Sequence, residues 1–208
     1  MRPIPAGEAT PKEALQLFYL LIFIAFLLVL TLDLNTILLS VGGLVLAASY
    51  PFMKRYTHFP QIILGAAFSW SIPMAFMATK GHLDAYVWLL YAANLIWTVA
   101  YDTLYAMVDR DDDVKIGVKS TAIAFGRFDL IAVGMCQITA LALFVYLSLH
   151  YNWHWPMLVA MAASLLMFIQ QLWSCRTRQR EACFKAFLSN HYVGLTLFIG
   201  LLVEYSLY

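Results

Sequence analysis

The sequence predicts an all-α membrane protein with seven transmembrane helices, and three observations predict it. Of 208 residues 62% are hydrophobic, the mean hydropathy is +0.75 and only 12% are charged, against about a quarter in a soluble domain. The apolar residues gather into seven runs, each near the roughly 20 residues that cross a bilayer core once tilt is allowed. The basic residues then sort onto one side of those runs. A net charge of +1 argues against a nucleic-acid role. Cys136, Cys175 and Cys183 have no metal-binding spacing and form no disulfide framework, so packing is their expected use. The first residues, with prolines and acids and no clear cleavage site after the first apolar run, do not read as a signal peptide.

In chain order, Thr10 before Pro11, with Glu13 three residues on, is a helix-start signature. A first span follows over 15–32, and Asp33 and Asn35 mark a tight turn. A second span covers 36–50, with Pro51 expected to end it, and a short basic loop carries Lys54, Arg55 and His58. The third span, 61–78, holds Pro73, a residue tolerated in a span where neighbours satisfy the freed carbonyl. Lys80, Gly81, His82 and Asp84 make the next turn, and a fourth span runs over 85–106. A fifth covers 128–149, a turn with Asn152, His154 and Pro156 follows, and a sixth covers 157–173. The basic run 175–187 reads as a loop, with Arg176, Arg178, Arg180 and Lys185 facing anionic headgroups. The last span is 191–208. No internal repeat, linker or low-complexity segment is present, so 1–208 reads as a single domain.

Seven spans place Arg2, Lys12, Lys54, Arg55, Arg110, Lys115, Lys119, Arg127, Arg176, Arg178, Arg180 and Lys185 on one side and Lys80 alone on the other. That asymmetry is a positive-inside signal and predicts that the N-terminal side is cytoplasmic. It also supports the span count, because one helix more or fewer would scramble the sorting.

On that side lies the run 101–127, which concentrates acids. Asp102, Asp109, Asp111, Asp112 and Asp113 are five of the chain's twelve acidic residues. Acids beside an apolar span are costly unless solvated, paired or neutralised by a cation. If the fourth helix runs on, Asp102, Asp109 and Asp113 share one face. Asp109 and Asp113, one turn apart, suit a hard divalent ion such as Mg²⁺, which takes one or two carboxylates plus water and phosphate oxygens. Nearby lysines suit a diphosphate. Ser120 is placed to cap a helix from Thr121, whose start would seat phosphate. The competing reading is a solvated loop. A transporter would place acids inside the spans or in both halves, and a CDP-alcohol phosphotransferase would carry a D-G-x-x-A-R run, which is absent.

The segments RPIPAG (2–7), YPFMKRYTHFPQ (50–61), GAAFSWSIPMAF (65–76), YDTLYAMVDRDDDVKIGVKSTAIAFG (101–126) and REACFKAF (180–187) resemble the UbiA superfamily of intramembrane aromatic prenyltransferases. Within it the likeness is to the bacterial branch that acts on 4-hydroxybenzoate in ubiquinone biosynthesis. The resemblance implies a Mg²⁺-dependent enzyme of the bacterial inner membrane, its active site on the cytoplasmic side. Its substrates would be polyprenyl diphosphate and 4-hydroxybenzoate, and its setting the lipid bilayer. By the same resemblance Asp109 and Asp113 bind Mg²⁺, and Asp102 is a further catalytic acid. Tyr50 and Lys54 match a Y-x-x-x-K pattern that contacts diphosphate, and Arg55, Arg110 and Lys119 are further substrate-binding candidates. Family members have nine helices and a second acidic motif before the R-P-[LI]-P-x-G segment. The seven spans here would correspond to helices three to nine, so this chain is expected to be N-terminally incomplete and to turn over little alone. A non-enzymatic membrane fragment, or prenylation of another aromatic acceptor, is the alternative.

Overall fold

The computed structural model describes residues 3–4 and 6–208; Met1, Arg2 and Pro5, and with them one charge of the sorted set, lie outside the described residues. The helices are α1 (Pro11–Val29), α2 (Leu34–Tyr56), α3 (Pro60–Ser69), α4 (Ser71–Lys80), α5 (Ala85–Ile116), α6 (Thr121–Phe125), α7 (Asp129–Tyr151), α8 (Trp155–Ser174) and α9 (Arg180–Leu207). Single 3₁₀ turns, Gly126–Phe128 and Cys175–Thr177, precede α7 and α9. Among the described residues six helical stretches are long and apolar enough to cross a membrane, α3 and α4 counting as one and α6 running into α7. The seventh long helix is α5. Its 32 residues extend about 48 Å at the α-helical rise, against about 30 Å of hydrocarbon, so it projects beyond the apolar layer.

Local chemistry explains most boundaries. Thr10 and Glu13 form a reciprocal capping box, with Glu13 N–H donating to Thr10 Oγ1 at 3.2 Å and Thr10 N–H donating to Glu13 Oε2 at 2.8 Å. Asp33 caps α2 through Thr36, whose N–H and hydroxyl donate to its two carboxylate oxygens at 3.1 and 2.5 Å. Asp84 caps α5 by accepting from Tyr86 and Val87 N–H at 2.9 and 3.1 Å. Gly117, at φ 70°, ends α5 in the left-handed conformation that glycine adopts without a Cβ clash.

Four expectations need correction. Pro51 does not end the second helix; it lies exposed inside α2, which continues to Tyr56, because one lost backbone bond on an outer face leaves the flanking bonds intact. The third span is broken into α3 and α4 at Trp70, three residues before Pro73. The last helix begins at Arg180 rather than near 191, since Cys183, Ala186 and Asn190 face inward while Glu181 and Lys185 point out. A charged stretch with one buried stripe is helix, not loop. Ser120 precedes α6 as expected, yet its hydroxyl makes no capping bond and is buried without a partner among the described residues.

α5 is the axis of the bundle and packs on α3, α4, α7 and α9. Ala93 and Ala100 on it are wholly buried, and small residues let neighbours approach closely. Gly65 of α3 sits so near α5 that an added Cβ would stand 2.8 Å from the Leu95 carbonyl oxygen. One core cluster, including Leu104, Met107, Ala122, Val133, Cys175 and Cys183, lies around the end of α5 that carries the acids. Another, including Phe144, Met157, Met161, Phe168 and Val193, joins α7, α8 and α9. α1 is peripheral, touches α2 and has no buried residue. Gly65→Ala must displace backbone and is expected to destabilise the bundle by about 1–3 kcal/mol. Gly134→Ala meets only the flexible tip of Leu172 at 3.2 Å and should cost less. Thermal unfolding of the two variants in detergent checks the order.

Candidate active site

The acidic end of α5 meets the basic end of α2 at one end of the bundle. α5 is unbroken from Ala85 to Ile116, so Asp102, Asp109 and Asp113 do lie along one face. Asp113 is 5% exposed. Its carboxylate accepts from Lys54 Nζ, on the last turn of α2, at 3.3 and 3.5 Å. Burial pushes the Asp113 carboxyl above the usual aspartate range, Lys54 opposes the rise, and the neighbouring Asp109 and Asp112 add to it. Asp109 also lies within electrostatic reach of Asp102, which sits beside Lys54 and Gln61. Tyr50, one turn before Lys54 on α2, lies within electrostatic reach of Asp102, Tyr105 and Asp113. Tyr50, Lys54, Asp102, Asp109 and Asp113 therefore form one group.

The chain after α5 is tied to the same place. Lys119 N–H donates to the Lys54 carbonyl at 2.9 Å, and Lys119 Nζ donates to the Tyr56 carbonyl at 3.2 Å. Its ammonium thus satisfies the carbonyl end of α2, as a cation at a helix C-terminus does, rather than pointing among the acids. Buried Gln61 accepts from Thr121 N–H at 3.3 Å, and the hydroxyls of Thr103 and Thr121 hydrogen-bond at 2.8 Å. The start of α6 is consequently sealed inside the protein and offers no phosphate seat, contrary to expectation: Ser120 and Thr121 are both wholly buried.

Two other candidates stand apart. Arg55 is exposed and forms no ion pair among the described residues. Arg110 points off the acidic face and, with Arg178, holds Asp129, a carboxylate with no exposure at all. Its expected role on the substrate is not what the structure displays: its guanidinium already has an anion, and its neighbour Gly126 supplies a carbonyl at 3.4 Å. Nor do the arginines of 175–187 simply face lipid. Arg180 pairs with Asp112 at 2.5 Å and holds that carboxyl below its usual range, helped by Lys115. Arg176 lies over the Trp173 ring at 4.3 Å, and only Lys185 of the set is exposed without a partner among the described residues. Sequence reasoning passed over Asp129. The signal was there, because an acid at the first turn of an apolar span has to be paired.

Among the described residues no three His, Cys, Asp or Glu side chains converge to hold a metal ion by themselves. The paired Asp109 and Asp113 still fit Mg²⁺, which is bound in phosphoryl sites by one or two carboxylates with substrate oxygens completing the shell.

A bundle of long apolar helices with an acidic helix face meeting a lysine at one end fits an intramembrane prenyltransferase, and the chain belongs to the UbiA prenyltransferase family, whose sequence pattern matches residues 1–201. In particular, it is 55% identical over 208 residues to the 4-hydroxybenzoate octaprenyltransferases of Salmonella paratyphi B and Salmonella newport, spanning 98% of this chain and 70% of each relative. Its fold is similar to the apo structure of a UbiA homolog from Aeropyrum pernix K1, with a TM-score of 0.85 and 25% identity over 98% of this chain and 76% of that one. A structure of digeranylgeranylglyceryl phosphate synthase shares the fold at a TM-score of 0.68 and 17% identity, covering 98% of this chain and 73% of that one.

The raised carboxyl of Asp113 has a thermodynamic sign. A carboxyl titrating higher in the folded state than its unfolded value of about 3.9 contributes stability below that value and loses it as pH rises through the folded one. Asp113→Asn is therefore expected to unfold at a higher temperature than the wild type at pH 7–8 without ligand, with the gap closing as pH falls toward 4. A gap that widens on acidification would show the carboxylate to be stabilising.

Proposed function

We propose that the protein transfers a polyprenyl group from polyprenyl diphosphate to 4-hydroxybenzoate, at the ring carbon ortho to the phenol, in ubiquinone biosynthesis. The Lys54–Asp113 contact carries this reading, since it brings a diphosphate-compatible cation and an acidic helix face together where a membrane-dissolved prenyl chain meets water. The similarity to relatives named 4-hydroxybenzoate octaprenyltransferase supports the choice of acceptor. The whole chain forms one membrane-embedded domain of the bacterial inner membrane, with the reaction at its cytoplasmic face by the sorting of basic residues.

The reaction breaks the bond between the allylic carbon and the diphosphate oxygen. The ring carbon donates an electron pair to the allylic cation, and the ring then releases its proton. Departure of diphosphate requires its charge to be neutralised. Asp109 and Asp113 are the residues to hold Mg²⁺, which supplies electrostatic stabilisation of the leaving diphosphate when bound. Lys54, lying on Asp113, is in reach of the same anion, and exposed Arg55 is a second cation free to grip a phosphate or the benzoate carboxylate in two-pronged fashion. Tyr50 lies within electrostatic reach of this group, and Asp102 lies deeper on the α5 face, where it is a counter-charge within reach of Lys54 when Asp113 is engaged. Lys119 acts indirectly, by closing the end of α2, and Arg110 acts through Asp129. The surrounding apolar helices keep water from the cation.

The test is prenylation of 4-hydroxybenzoate in membranes lacking any other such activity. It compares this chain alone with this chain joined to the part of the Salmonella relative that it does not match. Turnover is expected to vanish with EDTA and return with Mg²⁺. Asp109→Ala and Asp113→Ala should each lower it by at least about a hundredfold, the scale of losing an electrostatic catalytic group, while the protein stays in the membrane. Wild-type rates in either variant would overturn the assignment. Lys54→Met should raise the KM for polyprenyl diphosphate about tenfold or more, as expected for loss of a charge-assisted contact, with a smaller effect on the KM for 4-hydroxybenzoate.

A further inference from the structure

We infer that Asp129, gripped by Arg110 and Arg178, is a positioning residue that sets the rotation of the last turns of α5 and so aims Asp109 and Asp113; the inference rests on the function proposed above. Asp129 is the first residue of α7 and has no solvent exposure, yet it is surrounded by donors from three different segments. Arg178 Nε donates to both carboxylate oxygens at 3.1 Å, and its Nη2 donates to Oδ1 at 2.9 Å. Arg110 donates to Oδ2 from α5, and Leu130 N–H donates to Oδ1 at 2.6 Å. Both arginines also reach main chain next to Asp129: Arg178 donates to the Arg127 carbonyl at 2.9 Å and Arg110 to the Gly126 carbonyl at 3.4 Å. Arg178 itself is held at φ 54°, a left-handed backbone that a non-glycine residue seldom takes.

The placement gives this cluster leverage. Arg110 directly follows Asp109 and precedes Asp113 by three residues. Side chains on a helix step by about 100° per residue, so pinning Arg110 to one side fixes where both carboxylates point. The end of α5 needs such a tie. Beyond the apolar layer Asp111, Asp112, Val114, Lys115 and Ile116 are all exposed, and among the described residues the other ion pairs that tie this end to another helix are Lys54 with Asp113 and Arg180 with Asp112. Asp112–Arg180 is a solvent-exposed pair of small worth. Lys54 is the cation that a diphosphate would draw away. The clamp through Asp129 is centred on a carboxylate with no exposure, is held from two sides and is independent of substrate.

A residue that orients metal ligands governs metal affinity, whereas a residue that only stabilises the fold lowers the thermal midpoint and leaves the affinity of the folded fraction unchanged. The experiment uses the purified full chain in detergent with a non-reactive prenyl thiodiphosphate and Mn²⁺, read by the electron spin resonance of free and bound Mn²⁺. Asp129→Asn keeps the shape and removes the charge. It is expected to weaken Mn²⁺ binding about tenfold or more, the range for residues that orient metal ligands. Under the prenylation assay it should raise the Mg²⁺ needed for half-maximal rate by the same factor, with kcat at saturating Mg²⁺ little changed. Arg178→Lys, which keeps the charge and loses the fork, should fall between the two.

Wild-type Mn²⁺ affinity in folded Asp129→Asn, or a loss confined to kcat, overturns the inference. If Asp129→Asn does not fold, Arg178→Lys and Arg110→Lys decide it in the same way, and unchanged affinity in both overturns it. Asp109→Ala and Asp113→Ala separate the two levels. If they bind Mn²⁺ as the wild type does, the functional reading fails. If they lose Mn²⁺ and Asp129→Asn does not, this inference fails alone.

Discussion

A carboxylate buried at the rim of an apolar bundle needs a counter-charge, and Asp113 has one in Lys54 at 3.3 Å. The rest of the structure can be understood as what makes that meeting possible. Lys54 is carried there by the last turn of α2, a helix that passes through Pro51 without stopping, and Asp113 by the extension of α5 past the hydrocarbon layer. Lys119 stitches the two helix ends through the Lys54 and Tyr56 carbonyls. Burial keeps the Asp113 carboxyl raised even with Lys54 present.

Two kinds of interaction hold α5 in the bundle. The apolar part relies on small residues along α5, such as Ala93 and Ala100, and on Gly65 opposite them, which permit close helix approach where the bilayer offers no hydrophobic drive. The polar part relies on ion pairs and amide contacts that cross between segments: Gln61 with Thr121, Thr103 with Thr121, and Asp129 with two arginines. In low dielectric these contacts are specific because each alternative leaves a buried polar group unpaired. The opposite end is built differently. There Glu204, buried, accepts from the backbone and ring of His154 at 2.8 Å, and aromatic rings of Tyr86, His150, Tyr151 and Trp153 stack around the turn between α7 and α8.

The seven passes, the capping box at Thr10, the turn at Asp84 and the common face of Asp102, Asp109 and Asp113 were legible in the sequence, because hydropathy and helical period depend on neighbours within a few residues. The break at Trp70, the passage of α2 through Pro51 and the early start of α9 at Arg180 were not. Each depends on which face of a helix is covered, and a charged stretch looks like a loop until its buried stripe is seen. Ser120 shows the same limit. Its position before α6 follows from local pattern, but Gln61, sixty residues away in sequence, is what bonds the helix start.

The order of residues alone determined a multi-pass helical membrane protein, its acidic helix face and the sorting of twelve basic residues from Lys80, since composition and periodicity are properties of single segments. Only the tertiary structure decided which cation serves which acid. It gave Lys54 to Asp113, Arg180 to Asp112, and both Arg110 and Arg178 to Asp129. The physical reason is that an ion pair forms where distance and burial allow, and those are set by how α2, α5, α7 and α9 converge, not by spacing along the chain.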